Sequence, residues 1–184
     1  TPERIGYTFN GWDIAYDNVT SDLIVTATYK INQYTITFDS DGGSEVASIT
    51  QDYGTPITAP DNPTKEGYTF IGWDREIPDT MPAKDMVIKA QWEVVEYTIT
   101  YHLDGGTNNQ DNPEKYTIET EDILLEDAEK TGYIFKGWFD AEGQPVKIIQ
   151  KGSVGDKEVY AHWIANKYTI TFDSDGGSEV ASIT

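Results

Sequence analysis

The chain has no cysteine, two methionines and two histidines, and few basic residues: 13 Lys and Arg against 32 Asp and Glu, for a formal net charge of -19. Each shortage excludes something. Without cysteine there is no disulfide framework and no thiolate metal site, the usual supports of small secreted domains. Stability must then come from dense aromatic burial or from packing between neighbours. The scarcity of Lys and Arg argues against binding nucleic acid or an anionic membrane surface, where basic clusters neutralise phosphate. No apolar run approaches the roughly 20 residues that span a bilayer, so no membrane insertion is expected. The N-terminus lacks the charged-then-apolar pattern of a signal peptide, and the chain reads as a piece of a longer protein. What it has in quantity is aromatic side chains, 12 Tyr, 5 Trp and 6 Phe, the reverse of a disordered composition.

One motif organises the rest. Gly67-Tyr68-Thr69-Phe70-Ile71-Gly72-Trp73 occurs also as Gly6–Trp12 and Gly132–Trp138. Trp12 to Trp73 is 61 residues and Trp73 to Trp138 is 65; Tyr34 to Tyr97 is 63 and Tyr97 to Tyr168 is 71. A period of this size makes each repeat the unit to count. Residues 1–31 read as the second half of a module, 32–94 as a complete module, 95–166 as a complete variant module, and 167–184 as the first part of another. Residues 168–184 restate 34–50 without a change.

Within a module the periodicity is that of strands. Tyr34, Ile36 and Phe38 alternate with Thr35 and Thr37, and Met86, Ile88, Ala90 and Trp92 share one face of the closing strand. Strands are also expected at Tyr7–Trp12, Leu23–Tyr29, Glu45–Thr50, Thr55–Thr58, Tyr97–Tyr101 and Lys157–Trp163. Asp39-Ser40-Asp41-Gly42-Gly43-Ser44 reads as a turn. Thr1-Pro2-Glu3-Arg4-Ile5-Gly6, with its counterparts Asp61–Gly67 and Glu126–Gly132, reads as one short helical turn, capped by a polar residue and stopped by Gly. The expected class is therefore α+β and β-rich, with one helical turn per module. Phe70 and Trp92 are expected in the core of the second module.

Tyr-Thr-Ile-Thr-Phe followed by Asp-Gly-Gly, then Pro-Thr-Lys-Glu-Gly-Tyr-Thr-Phe-Ile-Gly-Trp, then Lys-Ala-Gln-Trp, resembles the Listeria–Bacteroides repeat family, which includes the B-repeats of internalin-type bacterial surface proteins. The third module carries a variant with Tyr160-Ala161-His162-Trp163, and the first has Tyr29 at the closing Trp position. The resemblance implies tandem β-grasp-like modules of about 70 residues on secreted or wall-attached bacterial proteins. It implies no enzyme activity, no cofactor and no agreed ligand.

Candidate sites are few. Asp39, Asp41 and Glu45 match a calcium loop only in part: Gly43 stands at the third ligand position and no Glu stands at the twelfth. Asp104, Asp111 and Asn112 form a second acidic stretch. His102 and His162 fall on the faces opposite the aromatics of their strands and are expected in solvent. No Ser–His–Asp set or phosphate loop stands out, and no catalytic residue is assigned. Trp12, Trp73 and Trp138 have the wrong parity for the core. Either the preceding Gly marks a bulge that swings each Trp inward, or each is partly exposed, to pack on a neighbouring module or meet a ligand.

The leading expectation is a non-enzymatic stalk or spacer, semi-rigid because the linkers Val94-Val95-Glu96 and Ala165-Asn166-Lys167 hold no Gly or Pro run. The alternative is an adhesin module that binds a host protein or glycan through exposed aromatics. Residues 168–184 and 1–31 are complementary, which suggests head-to-tail pairing between copies.

Overall fold

The structure, a computed structural model, describes all residues Thr1–Thr184 and divides into two compact units, Thr1–Val94 and Val95–Thr184. In the first unit, β1 (Tyr7–Trp12) and β2 (Ala27–Ile31) form an antiparallel pair. They are followed by β3 (Gln33–Asp39), β4 (Ile49–Asp52), β5 (Tyr68–Trp73) and β6 (Met86–Val94) in one sheet of order β4-β3-β6-β5. The second unit holds β7 (Glu96–His102), β8 (Lys115–Thr117), β9 (Ile123–Leu124), β10 (Tyr133–Phe139), β11 (Pro145–Val146), β12 (Ile148–Ile149) and β13 (Lys157–Ala165). Its main sheet runs β11-β10-β13-β7-β8, beside a small β12-β9 ladder.

In each complete module the first and last strands lie side by side and parallel: β3 on β6, β7 on β13. A parallel pair needs a crossover, usually a helix. Here none exists. The fold is all-β, with 42% of residues in strands, and the expected α+β class with a helical turn per module is corrected. The segments read as capped helical turns are β-turns. Tyr7 N–H donates to the Arg4 carbonyl at 3.0 Å, Tyr68 to Lys65 at 3.1 Å and Tyr133 to Lys130 at 3.1 Å. Gly6, Gly67 and Gly132 take φ of 78°, 76° and 81°, the third position of a type II turn, where Gly is favoured. The preceding residues stay extended because their backbone is engaged elsewhere. Ser44 N–H donates to the Thr64 carbonyl, and Thr107 and Glu129 exchange both backbone bonds. A carbonyl already paired across the module is not available to a helical ladder. Pro56, Pro60 and Pro63 disfavour helix further in the second module. With no helix to cover the sheet, the β-grasp-like expectation loses its defining element.

Several strand expectations shift at the edges. Leu23–Thr26 is not in a strand and Thr55–Thr58 contributes only an isolated bridge, Pro56 to Thr80. The core of the second module centres on Ile36, Phe38, Met81 and Ile88. Phe70 and Trp92 are half-buried at its margin, edge-on to each other at 5.5 Å. Met81 comes from the Pro-containing loop 77–83 and is 1% exposed. Its N–H donates to the Thr55 carbonyl and its carbonyl accepts from Gly54, so the loop is laced onto the sheet with its side chain as a plug. The variant module has a broader core of Ile99, Tyr116, Leu125, Ala128, Trp138, Ile149, Val159 and Ala161.

Candidate functional site

The recurring motif builds the same device in each complete module. The closing Trp lies over the Asp-Gly-Gly turn. Trp92 Nε1–H donates to the Ser40 carbonyl and Trp163 Nε1–H to the Leu103 carbonyl, both at 3.0 Å. A Cβ on Gly43 or Gly106 would stand 2.6 Å from Cζ2 of Trp92 or Trp163, which is why the second glycine of each turn has no side chain. Asp41 and Asp104 precede it in left-handed backbone, φ 50° and 46°.

Above the ring sits a cation. Lys65 Nζ donates to the Asp41 carbonyl at 2.9 Å and lies 4.3 Å from the Tyr68 ring centre and 5.7 Å from that of Trp92. Lys130 repeats this on Asp104, Tyr133 and Trp163. In the N-terminal half-module Arg4 takes the same place over Tyr7 and Tyr29. The Lys-x-Gly-Tyr part of the motif is thus a latch: cation, turn carbonyl and two rings closing one end of the module. Its chemistry is structural. Only the three-dimensional arrangement joins Lys65 to Trp92, so the sequence offered no signal beyond the recurrence itself.

The glycines before Trp12, Trp73 and Trp138 mark bulges. The ladders β1/β2, β5/β6 and β10/β13 each shift register between the Phe and that Gly, whose φ is 119°, 134° and 124°. The extra residue turns the Trp onto the Phe side. Trp73 packs on Phe70 at 5.3 Å and Phe38 at 5.1 Å. Trp138 is 3% exposed and donates to the Glu126 carbonyl at 2.8 Å. Trp12 is 41% exposed.

The acidic candidates are engaged in turns and pairs. Asp39 Oδ1 accepts from Asp41 N–H, and the Asp41 carboxylate meets Lys89 at 2.7 Å. That lysine's hydrogen bond holds the Asp41 carboxyl below its ordinary range. Asn112 is 5% exposed; its amide donates to the Glu126 carbonyl and its oxygen accepts from Glu126 N–H, standing in for a strand partner. Asp111 N–H is capped by Asn109, and the Asp104 carboxylate reaches Lys130 at 3.3 Å. No group of three or more His, Asp or Glu gathers as metal ligands.

His102 and His162 lie on the outer face of the second unit's sheet. They sit on adjacent strands but have different partners. His102 stacks on Tyr160 at 4.2 Å and 6°, and His162 on Phe139 at 4.0 Å and 16°. Glu158 accepts from the Tyr160 hydroxyl at 2.8 Å and lies 3.2 Å from His102 Nε2. The Tyr160 hydrogen bond, then that of His102, hold the Glu158 carboxyl below its usual range. The aligned positions in the second module are Asp39, Asp74, Val87, Lys89 and Gln91, so this aromatic row belongs to the variant alone. A cleft of about 250 Å³ opens beside it between Leu125, Phe135, Phe139 and Val146, at the small end of ligand cavities.

The profile of the Listeria-Bacteroides repeat domain matches residues 34–91 and 97–162. The chain is 32% identical, over an alignment of 201 positions, to a Gly-rich membrane protein of Evansella cellulosilytica, covering 97% of the chain and 23% of that relative. It is 34% identical over 179 positions to Internalin H of Listeria monocytogenes, covering 89% of the chain and 31% of that protein. The chain therefore spans less than a third of these curated relatives. Among solved structures, Streptococcal High Identity Repeats in Tandem domains 3-4 from a cell surface protein match at 17% identity, over 71% of the chain and 96% of theirs. The TM-score is 0.27, too loose to bear on the fold.

Proposed function

The chain belongs to the Listeria-Bacteroides repeat family, and from that premise we propose that it is a non-enzymatic repeat segment of a bacterial cell-surface or secreted protein, acting as a semi-rigid spacer. The family and the name Internalin H among its relatives support the location.

The observation that carries the mechanical reading is the joint at Asn32, one residue between β2 and β3. Asn32 N–H donates to the Gly6 carbonyl, and its carbonyl accepts from Tyr53 N–H, both at 2.9 Å. Its side-chain oxygen accepts from the Thr8 hydroxyl at 2.6 Å, and its amide reaches the Tyr34 hydroxyl at 3.3 Å. Tyr53 lies against Gly6 so closely that a Cβ there would come within 2.0 Å of Cδ1, and edge-on to Tyr7 at 6.1 Å. One residue with four hydrogen bonds and a ring over a glycine resists bending far better than a Gly/Ser linker of equal length. Asn166 repeats two of these bonds, to the Gly132 carbonyl at 2.8 Å and the Tyr168 hydroxyl at 2.9 Å.

Because the chain has no cysteine, Asn10→Cys and Thr37→Cys, both exposed on strands, accept spin labels cleanly. A narrow distance distribution between them, broadened by Asn32→Ala, is expected. A broad distribution in the parent protein would remove the spacer reading. The second reading, adhesion, rests on the outer row of His102, Phe139, Tyr160 and His162. If it operates, binding to a glycan or matrix array is lost in Tyr160→Ala while the melting temperature holds.

A further inference from the structure

The fifth strand of the variant module's sheet is only two residues long. β11 pairs with Trp138 and Phe139 of β10 and goes no further. After Val146 the chain leaves β10: the Lys147 carbonyl accepts from Leu125 N–H, and Ile148–Ile149 pairs with β9 instead. From Ile134 to Gly137, β10 therefore has β13 on one side and no strand on the other. This edge lies within the complete variant module. An uncovered edge offers unpaired backbone groups to another extended chain.

Beside the edge, where the two chains part, lies the cleft of about 250 Å³. Its apolar wall is Leu125, Phe135, Trp138 and Val146. The space is below the usual range for small-molecule sites and is of the scale of a side chain. Lys136 lines it from the open edge and Lys147 from the departing chain, with Asp127 the single acid. Other lysines of the unit are engaged. Lys115, Lys130 and Lys151 pair with Glu96, Asp104 and Glu121, and Lys157 donates to the Val154 carbonyl; Lys136 and Lys147 have no such partner. In a chain of net charge -19, two unpaired cations make this rim a locally basic spot. The second module lacks the combination: β5 is also an open edge, but Ile71 stands where Lys136 does and no short strand follows.

We propose that the edge Ile134–Gly137 takes an extended acidic peptide segment of a partner protein as an added strand. One apolar side chain enters the cleft, and carboxylates meet Lys136 and Lys147. Neighbouring residues in a strand face opposite ways, so an apolar residue flanked by acids reaches both. Main-chain bonds supply affinity, and the cleft and lysines select the sequence. A glycan would use the cleft and the lysines but leave the strand edge unpaired. The proposal is independent of the spacer reading, which rests on the joint at Asn32.

Amide shifts measured by NMR on the whole chain test this. The probes are the peptides Thr-Thr-Glu-Leu-Glu-Thr-Thr and Thr-Thr-Glu-Phe-Glu-Thr-Thr at up to about 1 mM, a range that reports weak pairing. The amides of Ile134–Gly137 should shift and their hydrogen exchange should slow severalfold, while those of β5 stay as they were. Peptides with Lys for Glu, or N-methylated at alternate residues, should not bind. Lys136→Ile and Lys147→Glu, both at exposed positions, should each weaken binding about fivefold at unchanged melting temperature. Silence of β10 with both peptides overturns the proposal, as does an equal response of β5, full binding of the N-methylated peptide, or variants that bind as the parent does. Shifts at the cleft given by a uronate oligosaccharide and not by the peptides would make the site a glycan site instead. Shifts that grow with protein concentration alone would make a second copy the occupant, and either result also overturns the proposal.

Discussion

Gly43 and Gly106 are glycines because a tryptophan ring occupies the space their side chains would fill. An alanine at Gly43 would place Cβ 2.6 Å from Trp92 Cζ2 and 3.0 Å from the Thr64 carbonyl oxygen. The ring cannot move away without breaking its bond to Ser40. Gly43→Ala should cost about 1–3 kcal/mol by overpacking, measurable as a lower urea midpoint at unchanged slope. Gly54, unlike Gly43, has positive φ, and nothing lies within 4 Å of its missing Cβ, so Gly54→Ala carries backbone strain only, about 1 kcal/mol. A second residue-scale consequence concerns alkali. Tyr101 donates to the Pro113 carbonyl at 2.8 Å, and burial, aided by the Glu114 charge, pushes its hydroxyl up to about 12. The unfolded chain ionises this group near pH 10, so between there and about 12 the native state holds the extra proton. Stability of the variant module from this source is complete below the lower value and lost as pH rises through the window. Tyr116, which donates to the Gly155 carbonyl, is raised in the same direction by burial. Urea melts of Tyr101→Phe should lose this alkaline slope relative to the parent.

At the scale of elements, the crossover between parallel strands is the unusual part. Without a helix, the second module covers its sheet with an extended, proline-bearing path and a loop plugged by Met81. Met81→Ala should therefore behave as a core truncation, costing about 2–5 kcal/mol. In a module near the lower size limit for a single core, that is enough to unfold residues 32–94. The measurement is denaturation followed by hydrogen exchange, with amides of Val95–Ala165 staying protected. Protection of β3 and β6 surviving the substitution would show that the loop is a passive connection. This element scale is also where reading from sequence fell short. The Pro and Gly positions were correct signals of a stop, but a helix N-terminus and a type II turn use the same residues. The carbonyls of Thr64 and Glu129 decide between them, and their partners lie about 20 residues away in sequence.

At the scale of the molecule, two compact units differ in how much they bury. The variant module closes eight residues into its core where the other closes four into the corresponding cluster. Calorimetry should resolve two transitions, the lower from the first unit, since buried apolar area dominates the folding free energy. Trp138 is the most buried of the repeated tryptophans, so the blue-shifted fluorescence should survive into the upper transition. A single coincident transition by both probes would show that the units melt together.

By itself the sequence determined the period, the strands at the motif, the in-facing alternation of Ile36 with Phe38 and of Ile88 with Ala90, and the family. These are local or periodic properties, and a strand's pleat maps them directly onto faces. It also held the two options for Trp73 and Trp138; the glycine bulge, visible only as a register shift between β5 and β6 or β10 and β13, turned them inward. Tertiary structure alone decided that no helix forms, that Met81 fills the core, that Lys65 closes over Trp92, and that Asn32 ties one module to the next. Each of these depends on which backbone carbonyl a distant group reaches, and no periodicity along the chain encodes that choice.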